Sequence, residues 1–151
     1  MKLAEALSER SDIRTRISQL NSRLENNAKV QEGEKPAEDP VALIAEMNGL
    51  FARYEELITR INMTNAATES ADGEALTALL ARRDCLTLKV DCMRRFLDAA
   101  TYNVSRSMRS EIKILSTVNV QEYQKKLDDL SKQLRELDVM IQGLNWNTDL
   151  M

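Results

Sequence analysis

Histidine is absent from this 151-residue chain, and no other feature of the sequence excludes as much chemistry. Without imidazole there is no Ser-His-Asp or Cys-His nucleophile, no His-ligated zinc and no Glu-x-x-His di-iron site. An acid–base enzyme would need a strongly perturbed carboxylate, lysine or cysteine in its place. Aromatic residues are scarce at 4%, and there are four Gly and two Pro. No window approaches the roughly 18 consecutive apolar residues of a membrane span. Met1-Lys2-Leu3-Ala4-Glu5 brings charge in at once, which is not how a secretory leader reads. A net charge of −3 and a pI near 5.2 argue against nucleic acid and anionic membrane as partners.

Cysteine is also rare. Cys85 and Cys92 fall seven apart in a helical pattern, about 10 Å along the axis and too far for an intrachain disulfide. The expectation is two reduced thiols, buried as small apolar groups, in a cytoplasmic protein.

What the sequence has in quantity is helical periodicity. The hydrophobic fraction is 43% and the charged fraction 30%, an ordinary balance for a single folded domain spanning residues 1–151. Leu3, Ala6, Arg10, Ile13, Ile17, Leu20 and Leu24 form a first seam with one charged lapse. Asp39-Pro40 opens a second helix as a cap followed by proline. Ile44, Met47, Phe51, Tyr54, Ile58 and Ile61 then make an unbroken a/d series, with Leu43, Leu50 and Leu57 as a third column beside it. A third helix, from about Asp72 or Thr77 to Ala100, carries Leu76, Leu79, Leu86, Val90, Met93 and Leu97. Asn119 and Glu122 have capping-box spacing, and Val118 with Tyr123 fits a hydrophobic staple. From Val120 to Leu144 every a/d position is apolar, giving a helix roughly 38 Å long. Glu111-Ile112-Lys113-Ile114-Leu115 alternates and is β-branched, so it reads as a strand, with Ala28 to Glu32 as its partner. The predicted fold is mainly α, an antiparallel bundle of four long helices with a small two-stranded β-ribbon.

Each candidate site has a plain structural account beside it. Glu32, Glu34, Glu38 and Asp39 cluster in the loop Gln31 to Asp39 but lack the ligand spacing of a dedicated cation loop. Asn62, Thr64, Asn65 and Thr68 form a polar run that suits a ligand or, more simply, a turn. Arg106, Arg109 and Lys113 among serines could meet phosphate or an acidic partner, yet no aromatics are interleaved for base stacking. Asp84, Asp91 and Asp98 recur beside Arg83, Arg94 and Arg95, as exposed ion pairs do. Arg10 lies on a seam, where a buried guanidinium must be paired and often fixes a partner. Trp146 reads as an anchor that docks the end of the chain on the body or on a neighbouring subunit. These readings name no catalytic, metal or cofactor residue.

Asn27-Ala28-Lys29-Val30-Gln31-Glu32-Gly33-Glu34-Lys35-Pro36-Ala37-Glu38-Asp39-Pro40 resembles the hallmark loop of the septicolysin-like family of small bacterial proteins. Ile61 to Thr68, Asp72-Gly73 through Thr77, Ala81 to Asp84, Arg109 to Lys113, Thr117 to Val120 and Asn145-Trp146 resemble further signatures of it. The stretch Tyr102 to Met108 departs by being shorter than that pattern. The resemblance implies a nearly all-helical protein of unestablished activity, and the family's name implies a cytolysin.

The composite expectation is a cytoplasmic homo-oligomer that serves assembly or protein interaction without catalysis. The Leu43/Leu50/Leu57 column and the last helix offer more apolar surface than one partner covers. Two alternatives stand beside it: a small-ligand or metal binder or enzyme using Asn62–Thr68 or the acidic loop, and a membrane-active cytolysin.

Overall fold

A computed structural model describes residues 1–102 and 114–151. It contains four helices, α1 (Leu3–Asn26), α2 (Pro40–Ala67), α3 (Leu76–Tyr102) and α4 (Val120–Asn147). Their starts are chemically defined. The Glu5 carboxylate accepts from the Lys2 amide at 2.7 Å, and Asp39 accepts from the Val41 amide at 3.0 Å ahead of Pro40. Asn119 accepts from the Glu122 amide at 3.2 Å. Each uses an amide donor that the helix itself leaves unpaired.

Contacts divide the chain into two compact units, Met1–Thr68 with Leu144–Met151 and Glu69–Gly143. In the first, α1 and α2 form an antiparallel hairpin. Leu3, Ala6, Ile13 and Leu20 are buried on α1, and Leu43, Leu50, Leu57 and Ile61 on α2. Three ion pairs run down one edge of it: Glu9 with Arg53 at 2.8 Å, Arg16 with Glu46 at 3.5 Å, and Arg23 with Glu38. As the α1 residue number rises by sevens the partner's number falls, which is an antiparallel heptad register.

The second unit packs α3 against α4, also antiparallel. Val90, Leu97 and Leu127 form its core, with Met93, Val120, Tyr123, Leu130 and Leu134 packed against it. Phe96 meets Tyr123 edge to face at 6.2 Å between centroids, a favoured aromatic geometry. At its start Gly73 takes φ +77°, which a glycine permits without strain. The Ser70 amide there donates to the Glu74 carbonyl at 2.8 Å.

The expected β-ribbon does not form. Residues 28–31 are irregular backbone, and the loop is committed to its own contacts. The Glu34 amide donates to the Gln31 carbonyl across a turn at 3.0 Å, Gly33 sits at φ +87°, and the Glu38 amide donates to Asn27 Oδ1 at 3.0 Å. Ile114 and Leu115 are likewise irregular, and residues 111–113 of the proposed strand lie outside the described residues. Among the described residues the only β-type pairings are the isolated bridges Lys2 with Asp149 and Glu69 with Ala75.

The α2 seam also differs from expectation by one column. Leu57 is fully buried, whereas Ile44 and Phe51 are 45% and 47% exposed. Cys85 and Cys92 are exposed rather than buried, because the inward α3 positions go to Leu79, Val90 and Leu97.

Candidate functional site

The last turns of α2 place Arg60, Thr64 and Thr68 one helical turn apart. Thr64 is 1% exposed, and a buried hydroxyl must find partners. It finds two: it donates to the Arg60 carbonyl at 2.8 Å and accepts from the Met151 amide at 3.0 Å. Arg60 Nε donates to the main-chain oxygen of Met151 at 2.6 Å. The segment that follows α4 is held a second time on its other edge. The Leu3 amide donates to the Thr148 carbonyl and the Leu150 amide to the Met1 carbonyl, both at 2.9 Å. Lys2 Nζ reaches Asp149 at 2.9 Å and the Asn147 carbonyl at 3.2 Å. Asn145 and Leu150 are buried beside this latch.

A run of alternating charge leads from the latch to α1. Arg60 pairs with Glu56 at 3.2 Å, Glu56 with Arg53 at 2.7 Å, and Arg53 with Glu9 through two bonds of 2.8 and 3.0 Å. The Arg53 hydrogen bonds hold the Glu9 and Glu56 carboxyls below the usual carboxylate range, and between them they raise the Arg53 guanidinium. The Lys2 hydrogen bond lowers Asp149 in the same way. Such a network is fully satisfied and serves to fix geometry.

On the outer side of α1 a shallow groove of about 430 Å³ is lined by Ala4, Glu5, Ser8, Glu9, Asp12 and Trp146. Trp146 is 61% exposed. Glu5 and Glu9 are already engaged, with the Lys2 amide and with Arg53. An open indole beside Asp12 has the chemistry to meet a cationic group.

The third feature of this unit is the outward flank of α2. Val41, Ile44 and Phe51 are exposed on the side away from the Glu46 and Arg53 pairs, with Ile58 half-buried in line with them.

The residues singled out from the sequence fall into place unevenly. Asn62, Thr64 and Asn65 lie within α2 rather than in a turn, and Thr68 is its C-cap. Their hydroxyls bond back to carbonyls four residues earlier, which lets threonine sit inside a helix. Asn62 is exposed and Asn65 half-buried. Arg10 is half-buried rather than enclosed and has no ion pair among the described residues. Trp146 is 61% exposed and lines the α1 groove, while the segment after α4 is held by the latch bonds, with Asn145 and Leu150 buried. Arg109 and Lys113, with Arg106, lie outside the described residues. Asp84 pairs with Arg83 at 2.8 Å and Asp91 with Arg94 at 3.3 Å, as local ion pairs. Sequence reasoning missed Glu9, Arg53 and Arg60. The signal for the first two was present in the opposite charges at heptad spacing, Glu9 and Arg16 against Arg53 and Glu46.

Among the described residues no three His, Cys, Asp or Glu side chains are grouped to hold a metal ion. No described helix is long and apolar enough to cross a membrane.

The fold and its latch define a four-helix, mainly α protein. The chain belongs to the family of unknown function DUF6847, whose sequence profile matches residues 10–150. It is similar to a functionally unknown conserved protein from Corynebacterium diphtheriae, whose crystal structure superposes with a TM-score of 0.96 at 43% identity, covering 100% of this chain and 99% of that one. No curated protein matches it. The septicolysin-like assignment is therefore corrected: the motifs that suggested it belong to this other family.

Proposed function

We propose that this chain is a cytoplasmic assembly module whose helices bind protein, its own copies first, through apolar surface left uncovered within its units. The observation that carries this reading is the α2 flank. Ile44 and Phe51 sit at core-type heptad positions and yet face outward, and large apolar side chains held at such spacing mark contact surfaces. The Arg53 network and the latch support it, because they hold α2 rigidly and so present that flank as a preformed surface. Two exposed free thiols suit a reducing compartment.

A ligand site on Asn62–Thr68 is not favoured at Thr64, whose hydroxyl is buried and engaged in the latch. A lytic role is not favoured, as no described helix has the apolar length to span a bilayer. Light scattering of the purified chain tests the assembly reading. A mass at or above twice the monomer at micromolar concentration supports it, and a monomer throughout that range refutes it.

A further inference from the structure

We infer that the α2 flank docks on the same flank of a second copy, antiparallel, about a twofold axis at Phe51. The inference rests on the assembly reading and specifies its contact. Two longitudinal sides of α2 are committed within this unit. Leu43, Leu50 and Leu57 are buried in the hairpin with α1. Glu46 and Arg53 are bound to Arg16 and Glu9 of α1, and Arg60 is bound to Met151. Of what faces outward, Ile44, Phe51 and Ile58 form a stripe of large apolar side chains at heptad spacing, whereas Ala45, Ala52 and Thr59 beside it are small.

These three residues are spaced seven and seven, so Phe51 lies midway, about 10 Å along the axis from each isoleucine. A spacing symmetric about its centre is self-complementary under a twofold axis, which is what an isologous dimer requires. Antiparallel docking sets Phe51 against Phe51 and Ile44 against Ile58 of the second copy.

The polar residues between them choose the direction. Asn48 and Glu55 alternate with the apolar three on this side, both are exposed, and neither makes a hydrogen bond or ion pair among the described residues. Parallel docking would bring Glu55 to Glu55, a like-charge contact that destabilises. Antiparallel docking brings the Asn48 amide, a hydrogen-bond donor, to the Glu55 carboxylate, an acceptor. The only charge on the stripe thus gains a partner in one direction and a repulsion in the other. Interleaved polar residues of this kind set pairing direction in helical assemblies.

Disulfide trapping tests the register directly. In a background with Cys85→Ser and Cys92→Ser, Phe51→Cys should cross-link to a dimer under mild oxidation. Separate Ile44→Cys and Ile58→Cys proteins should cross-link to each other when mixed, at least several-fold more than either does alone. A preference of each for itself means a parallel contact and overturns the inference. In parallel, light scattering of Phe51→Asp, and of Phe51→Ser as a milder form, should show at least a tenfold weaker association with unchanged helical circular dichroism. A dimer that survives both substitutions overturns this surface and leaves the assembly reading standing. A wild-type chain that is monomeric at micromolar concentration overturns both.

Discussion

Arg53 on α2 and Glu9 on α1 share two hydrogen bonds of 2.8 and 3.0 Å, each side chain about a third exposed. The fork of a guanidinium against a carboxylate fixes direction as well as distance. This pair therefore sets the rotation of α2 about its own axis, and with it which column of that helix faces α1.

Breaking the pair should cost stability modestly. Glu9→Gln or Arg53→Met is expected to lower the urea midpoint slightly, because exposed ion pairs are screened by solvent. A double-mutant cycle read by urea denaturation should return a small favourable coupling. Coupling near zero would mean the pair sets no geometry.

The pH dependence follows from the lowered carboxyls. Glu9, Glu56, Glu38 and Asp149 all titrate below their ordinary values in the folded chain, through hydrogen bonds from Arg53, Arg53, Arg23 and Lys2 respectively. A group whose folded pKa is depressed binds its proton more readily when unfolded, so its contribution is present above the ordinary carboxylate range and disappears as pH falls through the folded value. The urea midpoint should be flat near neutrality and drop between about pH 5 and pH 3. The drop should be shallower in Glu9→Gln.

Thr64→Val keeps the shape and removes the hydroxyl, leaving the Met151 amide without its acceptor. The expected loss is about 1 kcal/mol, that of a hydrogen bond removed from a partly buried donor. Hydrogen exchange should show the Met151 amide losing its protection while the α1 amides near Ile13 keep theirs. Unchanged exchange at Met151 would mean that the Thr64 hydroxyl does not hold this amide.

The column assignment on α2 has its own test. Leu57→Ala should cost about 2–5 kcal/mol, as buried leucines do. Ile44→Ala, measured in protein dilute enough to be monomeric, should cost less than about 1 kcal/mol. Reversed values would mean the helix is rotated.

Cys85 and Cys92 should both react with a chromogenic disulfide reagent in the folded chain, without denaturant, since both are exposed. Reaction only after unfolding would contradict their placement.

Helices and caps were legible because their determinants are local. The Asp39-Pro40 start and the Asn119–Glu122 box need only a few neighbouring residues to form, and apolar periodicity reports the helical period directly. The strand pattern at Ala28 to Glu32 misled, because a strand exists only with a partner and this segment spends its hydrogen bonds within its own loop. The polar run from Asn62 to Thr68 misled in the opposite way. Its side chains favour turns in isolation, but in place Thr64 and Thr68 bond back along α2, and Thr64 also holds the Met151 amide, a contact 87 residues distant in sequence.

By itself, then, the sequence determined four helices, their starts, and an α2 with more apolar columns than one partner covers. Only the tertiary structure decided which column went inside. Leu43/Leu50/Leu57 and Ile44/Phe51/Ile58 are adjacent and comparably apolar, so burial alone barely separates them. Turning α2 to bury the second column would carry Arg53 away from Glu9 and Glu46 away from Arg16. In the folded chain those edge pairs are made on one side of the buried column, and Ile44 and Phe51 face outward on the other.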